Sequence, residues 1–377
     1  MDTQARVIGG KKGFILDGQK LKWHKDRVNA WLNGERIAPI TIDCALTRRC
    51  TYKCSYCYGQ LQANDEKKMT KDVIFRFLDD AAEIGVKAVS FVSDGESTCS
   101  PHLYDAILRG KENGLDMALG TNGYLLKDDR LEEILPALTY LRFNVSAAEK
   151  HRYTEIMGCD ESCFDKVRAT IKKSVEIKRK NDLAVTIGLQ MVLLPSFADQ
   201  IMPLVKLGKE LGVDYFIIKH CSDDENGTLG VNYESYFGLT DILKEAEACS
   251  TERYLVKAKW SKILSKGNRK YRSCYGAPFI LQLSGSGLVA PCGMLFNAKY
   301  SRFHIGNIAE RSFKEIWRSD RYRRVMDLIT SREFDARTMC GTLCLQHKVN
   351  EFLWDLKNDA GSLETPVGEP PIHVNFV

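Results

Sequence analysis

The chain has 377 residues, too long for a single small module and long enough for one large barrel or two to three ordinary domains. Hydrophobic residues make up 44% and charged residues 27%, which provides for a sizeable core and excludes wholesale disorder. The formal net charge of +5 is spread along the chain with no dense basic block, so no nucleic-acid partner is expected.

A polar lead-in over 1–39 holds Gly9-Gly10 and a Lys-rich stretch from Lys11 to Lys25. The first strand is predicted at 40–46, and further strands at 89–92, 117–120, 141–145, 185–194 and 215–218. Between them, 3.6-residue periodicity predicts helices over 71–84, 102–113, 130–138, 165–180 and 199–211. Six strands alternating with helices imply a parallel sheet of right-handed βαβ units. The expected fold is α/β, with a partial, open (β/α)6 barrel over 40–225. A linker over 226–252 carries one helix, 241–248. From 253 to 305 short antiparallel strands are predicted. The tightest hairpin runs 279–283, turns at Gly285-Ser286-Gly287 and returns through 288–290. A helix over 312–329 completes a small α+β unit spanning 253–350. A C-terminal tail covers 351–377 and is expected to be extended from Gly361, through Pro366, Pro370 and Pro371.

No apolar run approaches the roughly 20 residues that cross a bilayer, and Met1-Asp2-Thr3-Gln4 does not begin a signal peptide. A cytoplasmic protein with no membrane partner is expected. Thirteen cysteines in a reducing compartment then argue for metal or redox chemistry rather than a disulfide framework.

Cys50, Cys54 and Cys57 form CxxxCxxC directly after the first strand. Three thiolates on one short loop can wrap one face of an iron–sulfur cube and leave one iron open to a substrate or cofactor. Structural zinc and fully protein-ligated cubes want four ligands. No fourth Cys or His lies close by: Cys44 sits inside the strand and Cys99 follows another. The alternatives are three incidental buried cysteines, or a zinc site with a distant fourth ligand.

CxxxCxxC with Tyr56 before its last Cys, after strand one of a partial barrel, resembles the radical S-adenosylmethionine (radical SAM) superfamily. Ser93-Asp94-Gly95-Glu96 resembles the family's glycine–glutamate motif, which contacts the methionyl amino group. Asp94 stands where glycine is more usual, and Ser97 where proline is. Glycine lets backbone approach a ligand, and a carboxylate suits an ammonium. Thr121-Asn122-Gly123 resembles the family's TNG, and Ser146 its cofactor-contacting serine, although a turn or a cap explains either alone. Gln190 on strand five faces either the lumen or the helices. Tyr56, Gly95, Glu96, Asn122, Ser146 and Gln190 are thus the candidate cofactor contacts. Tyr52, Tyr56 and Tyr58 are expected to pack over the cofactor or cluster. The resemblance implies a SAM-binding [4Fe–4S] cluster, an electron donor such as flavodoxin or ferredoxin, and a 5′-deoxyadenosyl radical that abstracts a hydrogen atom from substrate.

The hairpin ending Pro291-Cys292-Gly293, then His304-Ile305-Gly306-Asn307 and a helix carrying Trp317, resembles the SPASM/twitch extension of these enzymes. That resemblance implies an auxiliary [4Fe–4S] cluster on Cys274, Cys292, Cys340 and Cys344. A tetrahedral zinc site on the same four residues is the alternative. A single fully ligated cluster implies an electron relay and a small polar substrate of sugar, aminocyclitol or nucleoside type. The outcome would be dehydrogenation, epimerisation or dehydration. Peptide maturation is the second reading, although only some 40 residues precede the barrel, too few for a leader-peptide module. A zinc-stabilised binding protein is the third. Cys249, Cys221 and Lys219 are candidate catalytic side chains, the cysteines as hydrogen-atom donors and Lys219 for binding or proton transfer. On alternation, only one of Lys219 and His220 can enter the lumen. Asp223-Asp224-Glu225 is expected to be a solvated loop.

Overall fold

A computed structural model describes residues 19–377 except 66, 359, 360, 362 and 365. Gly9-Gly10 and the start of the Lys-rich lead-in lie outside the described residues. The elements run α1 (Lys25–Leu32), β1 (Thr41–Cys44), α2 (Lys71–Ile84), β2 (Ala88–Phe91), α3 (Leu103–Glu112) and β3 (Asp116–Thr121). They continue α4 (Leu131–Ile134), β4 (Leu138–Asn144), α5 (Lys150–Met157), α6 (Glu161–Lys180), β5 (Thr186–Leu193), α7 (Ile201–Leu211) and β6 (Tyr215–His220). Then follow α8 (Thr240–Ala248), β7 (Leu255–Ala258), α9 (Trp260–Ser265), β8 (Ile280–Leu283), β9 (Leu288–Ala290) and β10 (Gly306–Asn307). The last elements are α10 (Phe313–Arg318), α11 (Asp320–Thr330) and α12 (His347–Lys357).

Local chemistry sets these boundaries. Thr70 caps α2 by accepting from Val73 N–H, and Gly85, at φ 97°, ends it in the left-handed conformation. Gly212 ends α7 in the same way at φ 71°. Helix 312–329, expected to be continuous, is two helices. Ser319 is extended (φ −68°, ψ 157°) and its hydroxyl accepts from Tyr322 N–H, so one serine stops α10 and starts α11.

One ten-stranded sheet runs β10-β9-β8-β1-β2-β3-β4-β5-β6-β7. Strands β1 to β6 are parallel neighbours in chain order, which is the six-unit partial barrel. The barrel does not stop there. Strand β7, expected to be antiparallel in the C-terminal unit, pairs parallel with β6, and β8 pairs parallel with β1. Only β8–β9 and β9–β10 are antiparallel. Four-residue strands such as Leu255–Ala258 carry no periodicity that distinguishes the two pairings, so long-range register decided it.

Alternate strand residues, among them Ile42, Phe91, Leu119, Phe143, Leu189 and Ile218, pack outward into the helix layer. At the N-terminal edge the tail, expected to be extended, makes turns and closes the barrel. Phe376 packs on Tyr140, Thr41 Oγ1 donates to the Asn375 carbonyl at 2.7 Å, and Asn375 Nδ2 donates to Asp116 at 2.8 Å. The C-terminal edge of the strands carries the polar loops. Among the described residues no helix is long and apolar enough to cross a membrane.

Candidate active site

The CxxxCxxC loop leaves the C-terminal end of β1 and is clasped by the end of α5. Lys53 N–H donates to the Gly158 carbonyl at 3.1 Å and Ser55 N–H to Ile156, also at 3.1 Å. A Cβ at Gly158 would lie 2.3 Å from the Lys53 carbonyl, so only glycine permits this approach. Burial pushes the Cys50 thiol up to about 11 and raises those of Cys54 and Cys57, and the neighbouring thiols add to the rise at Cys50 and Cys54. Thiols gathered this way become thiolates when a metal centre supplies the compensating charge, so the donor set fits a cluster.

The glycine–glutamate and TNG motifs meet beside this loop. Glu96 Oε1 accepts from Thr98 and from Thr121 Oγ1 at 2.8 Å, and Oε2 accepts from Asn122 N–H at 2.7 Å. With one donor, Oε2 keeps acceptor capacity for a ligand ammonium. Asn122 Nδ2 donates to Thr51 Oγ1 at 3.0 Å, tying the motif after β3 to the cysteine loop. A Cβ at Gly95 would lie 2.1 Å from the Thr47 carbonyl, so the backbone before Glu96 rests directly on the strand-one loop.

Other expected contacts are placed differently. The Tyr56 hydroxyl donates to Met157 Sδ at 3.1 Å inside the core, and Tyr52 meets Tyr153 there. These two rings hold the loop to α5 rather than cover its outer face. Ser146 is fully buried and accepts from Val192 N–H at 3.1 Å. Asp223 and Asp224 are buried, not solvated: they accept backbone N–H groups of the 226–231 turn.

Gln190 faces the lumen, because its neighbours Leu189 and Met191 pack on the helices; its amide donates to Asn144 at 2.9 Å. Lys219 likewise faces inward and His220 outward, against Tyr236. Burial, then repulsion from Arg142 and Lys262, lowers Lys219 to about 7, opposed by Asp43 and Cys221. Asp43 is raised to about 6 by burial and accepts from Gln282 at 3.1 Å. Asp43, Arg142, Asn144 and Gln282 were missed from the sequence. Their signal was a polar residue at inward positions of otherwise apolar strands.

The structure separates the two candidate cysteine donors. Cys221 Sγ donates to the Tyr56 carbonyl at 3.3 Å, against the cysteine loop. Cys249 caps the C-terminal end of α8, its N–H on the Ala246 carbonyl and its thiol donating to the Glu245 carbonyl at 3.5 Å. That end feeds the start of β7, at the opposite edge of the sheet, so Cys249 is not brought to the site.

Cys274, Cys292, Cys340 and Cys344 line one cavity with Met294, Ile329, Phe334 and Asn350. Zinc would draw four sulfurs to about 2.3 Å from a single point. Here they ring a cavity whose other walls are largely apolar. The arrangement fits a cluster. The Cys340–Cys344 loop is fastened to the loop after β6 by Thr342 N–H on the Asp223 carbonyl at 2.9 Å, so both cysteine groups serve the same edge. From the lumen, Gln282 links Asp43 to Gly293 N–H, next to Cys292.

Family models agree with this architecture. The Radical SAM superfamily model matches residues 45–207, and that of the iron–sulfur cluster-binding SPASM domain residues 274–344, together more than half of the chain. The protein is a radical SAM enzyme with a C-terminal SPASM domain. Its cofactors are S-adenosyl-L-methionine, the [4Fe–4S] cluster that binds it and an auxiliary [4Fe–4S] cluster. The tungsten-containing aldehyde ferredoxin oxidoreductase cofactor-modifying protein of Pyrococcus furiosus is 23% identical over 74% of this chain and 80% of its own length. The AdoMet-dependent heme synthase of Methanosarcina barkeri is 25% identical over 77% and 85%. Streptococcus suis SuiB bound to S-adenosylmethionine shares the fold at TM-score 0.62 and 17% identity, over 82% of this chain and 72% of that one.

Proposed function

We propose that Cys50, Cys54 and Cys57 hold the SAM-binding cluster and that Glu96, seated by Gly95 and Asn122, receives the methionyl ammonium. On this reading Cys274, Cys292, Cys340 and Cys344 hold the auxiliary cluster, and the substrate is a small polar molecule in the barrel lumen. The bound cofactors supply a 5′-deoxyadenosyl radical for hydrogen-atom abstraction and a one-electron acceptor. The chain's own residues bind and orient the substrate: Arg142, Lys219, Asn144 and Gln190 offer hydrogen bonds beneath the cysteine loop, and Asp43 or Lys219 can take a proton near neutrality. Loss of an electron and a proton from a carbinol radical would give dehydrogenation. Return of a hydrogen atom, with Cys221 as the candidate donor beside the loop, would give epimerisation. Dehydration is the third outcome. A flavodoxin- or ferredoxin-like protein would deliver electrons.

The observation that carries this reading is the polar lumen floor directly under the cysteine loop. It fits a compact polar substrate held at several points. The names of the P. furiosus and M. barkeri relatives, a cofactor-modifying protein and a heme synthase, also favour non-peptide substrates. Peptide modification is the second reading, since SuiB has been crystallised with its precursor peptide SuiA. Anaerobically reconstituted protein incubated with S-adenosylmethionine and sugars, aminocyclitols or nucleosides should release substrate-dependent 5′-deoxyadenosine. Release only with a co-encoded peptide would overturn the small-molecule reading. Iron and sulfide analysis should give about eight irons, from the stoichiometry of two cubes, falling by half in a Cys50/Cys54/Cys57 triple-alanine variant. Bound zinc in place of iron would remove the radical chemistry.

A further inference from the structure

We propose that Arg269 and Asn350 raise the reduction potential of the auxiliary cluster by donating hydrogen bonds to its cysteine ligands. This rests on Cys274, Cys292, Cys340 and Cys344 being those ligands. Arg269 Nη1 lies 3.1 Å from Cys340 Sγ, and its guanidinium also donates to the Ala336 and Gly341 carbonyls. The side chain is only 8% exposed. Among the described residues no carboxylate forms an ion pair with Arg269. Carbonyl oxygens accept from its two Nη groups, while its Nε is buried with no hydrogen-bond partner among the described residues; its charge is left uncompensated, and a guanidinium cannot shed its proton. The anionic partner that this buried cation needs is the thiolate ring itself.

Asn350 acts on the other side. It is fully buried, and its Nδ2 lies 3.6 Å from Cys344 Sγ and 3.8 Å from Cys274 Sγ. Its Oδ1 accepts from Gly276 N–H at 2.9 Å, which fixes the amide with its NH2 toward the sulfurs. Together the two side chains reach three of the four sulfurs, and one of the two donors is cationic. Reduction adds one negative charge to the cluster, and fixed donors stabilise the more negative state more strongly. Both residues thus bias the cluster toward accepting an electron.

The test is an EPR-monitored redox titration of full-length protein carrying the Cys50/Cys54/Cys57 triple-alanine background, with iron counted in parallel. That background should retain about four irons; if it retains none, the ligand assignment fails, and the proposal with it. Arg269→Met should lower the midpoint potential by at least a tenfold shift of the one-electron equilibrium, about 59 mV. Arg269→Lys should fall between the two, and Asn350→Leu should shift the potential in the same direction by less. If Arg269→Met loses its cluster, Asn350→Leu decides. Unchanged potentials with the four irons retained would overturn the proposal while leaving the ligand assignment intact.

Discussion

The Asp94 carboxylate accepts from the Ser284 hydroxyl at 2.6 Å, joining the loop after β2 to the hairpin turn between β8 and β9, 190 positions further on. Asp94 also accepts from Gly285 N–H at 2.9 Å and lies 3.5 Å from Arg48 Nε. The aspartate that departs from the family's usual glycine is therefore a strut between the radical SAM and SPASM regions. Burial raises it to about 6, against which the Ser284 and Gly285 hydrogen bonds and Arg48 act. Asp94→Ala and Ser284→Ala should each destabilise, with a coupling of about 1–3 kcal/mol in a double-mutant cycle of thermal unfolding. Additive effects would mean that the bond contributes nothing.

Gly95→Ala should be worse than its size suggests. The new Cβ would meet the Thr47 carbonyl and, at 2.9 Å, Arg48 Cα, and neither backbone atom can rotate away. Relief must displace Glu96. Glu96→Gln removes the charge alone, so both variants should weaken S-adenosylmethionine binding by about tenfold or more, as expected for losing a charge-assisted hydrogen bond. Calorimetric titration of the cluster-loaded protein measures this, and parent-like affinity in Glu96→Gln would exclude an ammonium contact.

Lys219 sets a pH signature. Its proton leaves near pH 7 when folded, but only in the ordinary lysine range when unfolded. Between those limits the unfolded chain binds more protons, so stability should rise with pH; below pH 7 the full cost of the buried cation applies. Lys219→Met removes that cost. It should stabilise by on the order of 1–2 kcal/mol at pH 6.5, after allowing for partial solvation, and by much less near pH 10. Thermal midpoints at the two values test this; equal gains at both would refute it.

Cys249→Ala should keep parent-like turnover and product stereochemistry, because α8 delivers Cys249 to the opposite edge of the sheet. Cys221→Ala should change product partitioning if Cys221 returns the hydrogen atom. Product analysis in deuterium oxide separates the two variants.

The sequence by itself determined the alternation of six strands and helices, the cysteine groups and the glycine–glutamate motif. Those signals are local: periodicity, spacing and residue chemistry within one loop. Only the tertiary structure decided that β7 and β8 extend the parallel sheet, that Ser319 splits a helix, and that Asp94 reaches Ser284. It also turned Gln190 and Lys219 inward, set Cys249 apart, and brought Arg269 and Asn350 to the auxiliary cysteines. The reason is physical. Pairing partners and hydrogen-bond acceptors tens to hundreds of positions away are chosen by packing, and a short segment carries no record of them.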